Sequence, residues 1–303
     1  MTRFDLVIFD CDGVVVDSEP IMHRVFGDFI RSLGADLDEK RMNELFLGRR
    51  LADCIAIVEN ITGRPAPPGS LDRYRAERDR ILREQVQPVE GVRDVIEGLT
   101  VPYCIASSGD YSKMRATLGA TGLLPLFEGK LTSATECEHG KPAPDVFLLA
   151  ARRMGVSPGR AAVIEDSVNG VSAGHAAGMT VFGYAGLVPA HELEAAGAVR
   201  TFTHMRELLG LLRWAKDDHD GAVLALEREL AVEGSGQLYA RECCANAWYA
   251  LAAIRLADGD ASGASAAIDD TLRRIPAHPS ARALRVLLDG GDGAVAEIGR
   301  AHV

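Results

Sequence analysis

Short apolar runs separated by polar or glycine-containing loops organise the first two-thirds of the chain. Residues 4–9, 101–106, 129–133, 161–164 and 179–183 each read as a strand, too short for a helix and bounded by turn-forming residues. Between them, helical periodicity runs over residues 92–99, 111–118, 145–154, 168–177 and 205–214. Strands and helices in alternation predict a parallel sheet covered by helices on both faces.

The pattern departs from this rhythm twice. After the first strand, Asp17-Ser18-Glu19-Pro20 reads as a helix start. Ile21, Val25, Phe29, Ile30 and Leu33 then form one apolar stripe, and Leu51, Ile55, Val58 and Ile61 a second. Residues 71–86 are helical and heavily charged, with Tyr74, Ile81 and Leu82 on the apolar side. No strand is expected until Pro88 and Gly91, so residues 16–87 read as a small helical bundle inserted into a core of residues 1–15 and 88–215. The second departure is the tail, residues 216–303, which has no strand signals. There Gly221-Ala222-Val223-Leu224-Ala225-Leu226 recurs forty-two residues on as Gly263-Ala264-Ser265-Ala266-Ala267-Ile268, with a fainter echo over residues 293–298. The spacing of Trp248, Leu251, Ala252, Ala264, Ile268 and Pro276 resembles a tetratricopeptide repeat, and His278-Pro279-Ser280-Ala281 would start its next helix.

Composition narrows what such a chain does. With 47% hydrophobic and 25% charged residues it is an ordinary soluble composition. A net charge of −10 argues against a general nucleic-acid binder. No apolar run reaches the roughly 18 residues of a membrane span, and residues 1–9 enter the first strand with no room for a signal peptide. The six cysteines show no CxxC and no pairing pattern. Reduced thiols and a cytoplasmic location are the expectation.

The chemistry-bearing residues gather at predicted strand ends. Asp10 and Asp12 leave the first strand two residues apart, so both carboxylates face one side while Cys11 turns away. Open α/β folds bind ligands outside the carboxyl ends of their strands. Ser107-Ser108-Gly109 follows the second predicted strand, with a hydroxyl and two N–H donors for an anion. Lys141 sits in a loop stiffened by Pro142 and Pro144, and Glu165-Asp166 follows the strand at 161–164.

The segments FDCDG, ASSGD, GKPAPD and VIEDSVNG, in this order, resemble the four motifs of the haloacid dehalogenase superfamily. The inserted bundle is similar to the small helical cap of its β-phosphoglucomutase and sugar-phosphate phosphatase members, and the resemblance covers residues 1 to about 215. It implies a Rossmann-like α/β core with a parallel sheet, an inserted α-helical cap and, here, an extra C-terminal all-α segment. It also implies a phosphomonoester hydrolase that works with Mg²⁺. In that reading Asp10 attacks phosphorus and forms an aspartyl-phosphate, because a carboxylate attacks an anionic ester only beside a neutralising cation. Asp12 is the general acid and base, Ser107 binds the phosphoryl group, and Lys141 bridges it to the nucleophile. Asp10, the carbonyl of Asp12 and Asp166 supply oxygens to the metal, with Glu165 either ligating directly or orienting a metal-bound water. Asn169 and Gly170 are structural.

The cap decides what enters. Ser108, Gly109, Ser18 and Arg49 are the candidate substrate contacts, with Arg49 and Arg50 following Gly48 on the cap's specificity loop, where an arginine holds an anionic group. His23 is a candidate for the cap's underside and His139 for the edge of the site, while His175 falls within a helix. A phosphosugar mutase is the alternative, but the positions of its cap histidine and distal-phosphate arginine hold Met22 and Leu51, and Ser18 replaces its threonine. Hydrolysis of a small sugar phosphate or phosphosugar acid is therefore the expectation. A third reading makes the core an idle scaffold and residues 216–303 a surface for a protein partner or for self-association. The expected partner of the core is a small phosphorylated metabolite, with no nucleic acid and no membrane.

Overall fold

The computed structural model describes residues 4–214, 219–230 and 240–289. Its centre is β1, Leu6–Phe9, four residues with no exposed surface. In sequence order there follow β2 (Val16–Asp17), α1 (Glu19–Ser32), α2 (Glu39–Phe46), α3 (Leu51–Thr62), α4 (Ser70–Gln85) and β3 (Gln87–Pro88). The chain then alternates as the pattern predicts: α5 (Val92–Gly98), β4 (Tyr103–Ser107), α6 (Tyr111–Ala120), α7 (Leu124–Phe127), β5 (Leu131–Ser133), α8 (Asp145–Arg153), β6 (Ala161–Glu165), α9 (Val168–Ala176), β7 (Thr180–Tyr184), α10 (Ala190–Ala195) and β8 (Arg200–Phe202).

The six-stranded sheet has the order β5-β4-β1-β6-β7-β8. β1 pairs in parallel with β4 on one side (Ile8 opposite Cys104) and with β6 on the other (Ile8 opposite Val163). The chain thus winds outward in both directions from β1, which makes its carboxyl end a topological switch point. That order sets the carboxyl ends of β4, β1 and β6 side by side, and with them Ser107, Asp10 and Glu165. One apolar layer, including Ile8, Val163, Phe147 and Val171, packs α8 and α9 against the sheet.

The inserted region leaves and re-enters the core through β2 and β3, an antiparallel pair two residues long. Its four helices enclose a core of their own, in which Phe26 meets Phe46 edge-on at 5.0 Å and Phe29 stacks on Tyr74 at 4.6 Å. On α4, Tyr74 and Leu82 are buried as the apolar stripe predicts, but so are Arg78 and Asp79.

The chain divides into two compact units, Phe4–Thr201 and a second beginning at Phe202. The second holds α11 (Glu207–Trp214), α12 (His219–Leu230), α13 (Ala240–Ala257), α14 (Ala261–Arg274) and α15 (Pro279–Asp289). Sequence pattern assigned the first of these helices to the core. Instead its Leu208, Leu211 and Leu212 are buried, and α11 packs against α12 within the second unit. Leu251, Ala252, Ala264 and Ile268 are fully or almost fully buried in its apolar centre, with Trp248 packed against it. The forty-two-residue echo is also a structural repeat. Arg213 donates to the carbonyl of Gly221 at 3.3 Å, and Arg255 donates to that of Gly263 at 3.3 Å. The fainter echo at 293–298 lies outside the described residues. Among the described residues no helix is long and apolar enough to cross a membrane.

Candidate active site

The floor of the site is a buried chain of charges. Lys141, 2% exposed, places Nζ 2.5 Å from Asp10 Oδ1 and 2.6 Å from Glu165 Oε1, and lies over the Phe147 ring at 4.8 Å. Its peptide bond to Pro142 is cis. Burial works against the charge on Lys141, but Asp10 and Glu165 outweigh it and hold the ammonium well above the ordinary lysine range. Burial pushes the Asp10 carboxyl up to about 7; Lys141 opposes that rise, while Glu165 and Asp12 add to it. The other Glu165 oxygen accepts from the backbone N–H groups of Asp166 (2.9 Å) and Ser167 (3.0 Å) and from Ser167 Oγ (3.0 Å). Both its oxygens are engaged by protein groups, one of them by Lys141, which Glu165 thereby holds in place.

Asp166 is different. It is 4% exposed, and among the described residues no donor bonds its carboxylate. Burial raises it well above the usual carboxylate range, with Glu165 and Glu19 adding to the rise. Gly13 lies against it at φ 76°, where a Cβ would come within 1.9 Å of Asp166 Oδ2. The carboxylate therefore rests on the backbone just after Asp12. Among the described residues no three or more His, Cys, Asp or Glu side chains group as a metal site. The oxygens on offer are one from Asp10, those of Asp166 and the Asp12 carbonyl. Such a small, all-oxygen, anionic set suits a hard cation that keeps several waters.

Asp12 sits in a separate arrangement. Its Oδ1 accepts from Ser18 Oγ at 2.6 Å and lies 2.8 Å from Lys113 Nζ. Burial alone would raise Asp12, but Lys113 and Ser18 together hold its carboxyl below the usual range. Ser18 has no exposed surface, and its hydroxyl is directed at Asp12. The loop after β4 closes the floor. Ser107 Oγ accepts from Gly109 N–H at 2.9 Å, and Ser133 Oγ donates to the Gly109 carbonyl at 2.7 Å. Asp110 then caps α6, accepting from Lys113 N–H at 2.8 Å.

The cap roofs this floor and encloses a cavity of about 330 Å³. Three side chains bond main-chain carbonyls across the seam: Ser108 Oγ donates to the Gly48 carbonyl (2.7 Å), Asn169 Nδ2 to the Leu47 carbonyl (2.9 Å), and Arg50 Nη1 to those of Cys137 (3.1 Å) and Glu138 (3.3 Å). Gly48 is at φ 75°, and a Cβ there would lie 2.4 Å from Ser167 Oγ, so only glycine lets the loop come this close. Ser108 thus lines the cavity while its hydroxyl is spent on the cap. Gly109, Arg49 and His23 line it too, and among the described residues Arg49 Nε and His23 Nε2 are buried without a hydrogen-bond partner. His139 is exposed beside Glu138 and Asp145, outside the cavity, and His175 is exposed on α9.

Sequence reading overlooked Lys113, Arg78 and Glu19, all on the cavity wall. Two of them left a signal. A lysine in the first turn of a helix runs against the helix dipole, which favours acids there. Arg78 shares the stripe of Tyr74 and Leu82, spaced four residues from each. It is 3% exposed and bridges Asp79 at 2.7 Å and Asp110 at 3.1 Å, tying α4 to the loop that carries Ser107.

Comparison with known proteins agrees with this geometry. Residues 4–178 match the model of the haloacid dehalogenase-like hydrolases. The 6-phosphogluconate phosphatase of Escherichia coli (strain K12) is 33% identical over 209 residues, 69% of this chain and 94% of that protein. Fructose-1-phosphate phosphatase YqaB from the same organism is 32% identical over 58% of this chain and 94% of its own. The solved structure of a conserved haloacid dehalogenase-like protein of unknown function from Agrobacterium tumefaciens str. C58 superposes with a TM-score of 0.60 at 35% identity, covering 70% of this chain and 99% of that one. With the family match spanning more than half of its length and the motifs converging at the carboxyl ends of the sheet, the chain belongs to the haloacid dehalogenase-like hydrolases.

Proposed function

We propose that this phosphoric monoester hydrolase cleaves a small phosphomonoester, a sugar phosphate or phosphosugar acid, through an aspartyl-phosphate on Asp10. The observation that carries this reading is Lys141, buried between Asp10 and Glu165. A lysine so fixed neutralises charge where an anionic ester must meet an anionic nucleophile. Mg²⁺, held by Asp10, Asp166 and the Asp12 carbonyl, would supply further charge neutralisation when bound. Asp10 attacks phosphorus as the ester P–O bond breaks, and Asp12 gives its proton to the departing alkoxide. Asp12 then takes a proton from the water that attacks the aspartyl-phosphate, and inorganic phosphate leaves with Asp10 regenerated. Asp12 starts ionised beside Lys113, so its protonation accompanies the arrival of the phosphate, whose negative charge opposes that ionisation.

The cap supports hydrolysis over mutase chemistry, because Met22 and Leu51 present apolar surface to the cavity. The relatives' names, a 6-phosphogluconate phosphatase and a fructose-1-phosphate phosphatase, support the substrate class. Phosphate release across sugar phosphates, phosphosugar acids, nucleotides and phosphoglycolate with Mg²⁺ tests the reading. Asp10→Asn is expected to lose all turnover, and an unmodified chain that releases no phosphate from any ester in any divalent metal sinks it and leaves the scaffold alternative. The tail reads as a tetratricopeptide-like array, supported by the α11–α12 and α13–α14 packing and the repeated arginine–glycine bond. Its role is protein contact or self-association, and a concentration-independent monomer mass would remove the second.

A further inference from the structure

We infer that His23 and Arg49 form a distal subsite for a carboxylate, so that the substrate is a phosphorylated sugar acid rather than a neutral sugar phosphate. The inference rests on the proposed phosphatase reading and deepens it. Five arginine or lysine side chains line the cavity, and four of them have carboxylate partners. Arg50 is clasped by Asp53 at 2.9 and 3.0 Å, Arg78 by Asp79 and Asp110, and Lys113 by Asp12. Arg75 pairs with Asp72 at 3.4 Å. Arg49 alone has no ion pair or hydrogen bond from its guanidinium among the described residues, and its Nε is buried.

A guanidinium with its Nε buried and no counter-charge leaves a donor unsatisfied, and a ligand anion in the cavity would supply both the acceptor and the charge. His23 Nε2, buried and equally without a partner, lies on the wall of the same cavity. Both residues belong to the cap, whereas Asp10, Asp12 and Asp166 are on the floor. An acidic floor repels a second anion, so that anion must lie toward the roof. One cation and one imidazole match the single charge and two oxygens of a carboxylate better than a second, dianionic phosphate. The cavity of about 330 Å³ is at the small end of ligand pockets and suits a short polyol chain between the two groups.

The test compares 6-phosphogluconate with glucitol 6-phosphate, which share the phosphate and polyol chain and differ in the terminal carboxylate. The unmodified chain is expected to favour the acid at least about tenfold in kcat/KM. Arg49→Gln and His23→Ala should each shrink that preference, mainly through KM for the acid, as loss of ground-state binding does. Equal rates for acid and alditol, a preference untouched by Arg49→Gln, or a stronger preference for a sugar bisphosphate would overturn the carboxylate subsite. Calorimetric binding of the same pair to Asp10→Asn keeps the two readings apart. Tighter binding of the acid there upholds the subsite even if no ester is turned over, and equal binding rejects it even if turnover is brisk.

Discussion

Lys141 answers to two carboxylates at once, and its removal leaves both without a counter-charge. Lys141→Met is expected to destabilise the metal-free protein by about 3–5 kcal/mol, the usual cost of stranding buried charge, read from urea unfolding. It should also abolish turnover. Loss of activity with unchanged stability would mean that Asp10 and Glu165 take up protons at no cost. The parts of the site that sequence made legible share a cause. Asp10, Ser107, Glu165 and Asp166 each end or follow a strand, and strand ends meet because the sheet is parallel. Lys113 and Arg78 left a local signal but not their place in the site, because the acids that draw them there, Asp12 and Asp110 respectively, are distant in sequence. Ser18 was legible as a site residue, but its bond to Asp12 was not, since only the fold brings the two together.

Three of the four cap helices, α1, α3 and α4, were readable from their apolar stripes, and five of the six strands of the main sheet from their length. The elements that escaped were short: β2 and β3 have two residues each, β8 three, α7 four and α10 six, too few to carry a period. The assignment of α11 escaped for another reason, since an apolar stripe says that a helix is buried and not against what. The way the cap is held down also depends on one side chain more than on its helices. Arg50 binds Asp53 within the cap and two carbonyls of the core. Arg50→Ala is therefore expected to speed amide exchange in α2 and α3 and to lower kcat/KM about tenfold, as lid mutations do when closure completes the site. Exchange that stays slow while activity falls would place the effect of Arg50 in substrate binding instead.

Across the whole molecule, both tryptophans, Trp214 and Trp248, fall after Phe202. Tryptophan emission therefore reports on the second unit alone. There His278 accepts from Ala281 N–H through Nδ1 (3.2 Å) and meets Asn246 Oδ1 through Nε2 (3.0 Å), a pattern that needs the neutral ring. Burial lowers its pKa below 6.5. The unfolded chain then binds the proton more readily, so stability is full above 6.5 and is lost as pH falls from there through the folded value. The urea midpoint by tryptophan emission should drop between about pH 8 and about pH 5. His278→Asn, which keeps an acceptor for Ala281, should flatten that drop, and an unchanged slope would assign it to other groups. The cap contacts have a consequence of another kind. Those made by Ser108, Asn169 and Arg50 join a side chain on one partner to a main-chain carbonyl on the other: Gly48, Leu47, Cys137 and Glu138. A carbonyl survives almost any substitution of the residue that bears it. The side chains at Leu47, Cys137 and Glu138 can therefore change while Asn169 and Arg50 keep their bonds, Gly48 being excepted by its close approach to Ser167, so those positions are free to diverge without the lid coming loose.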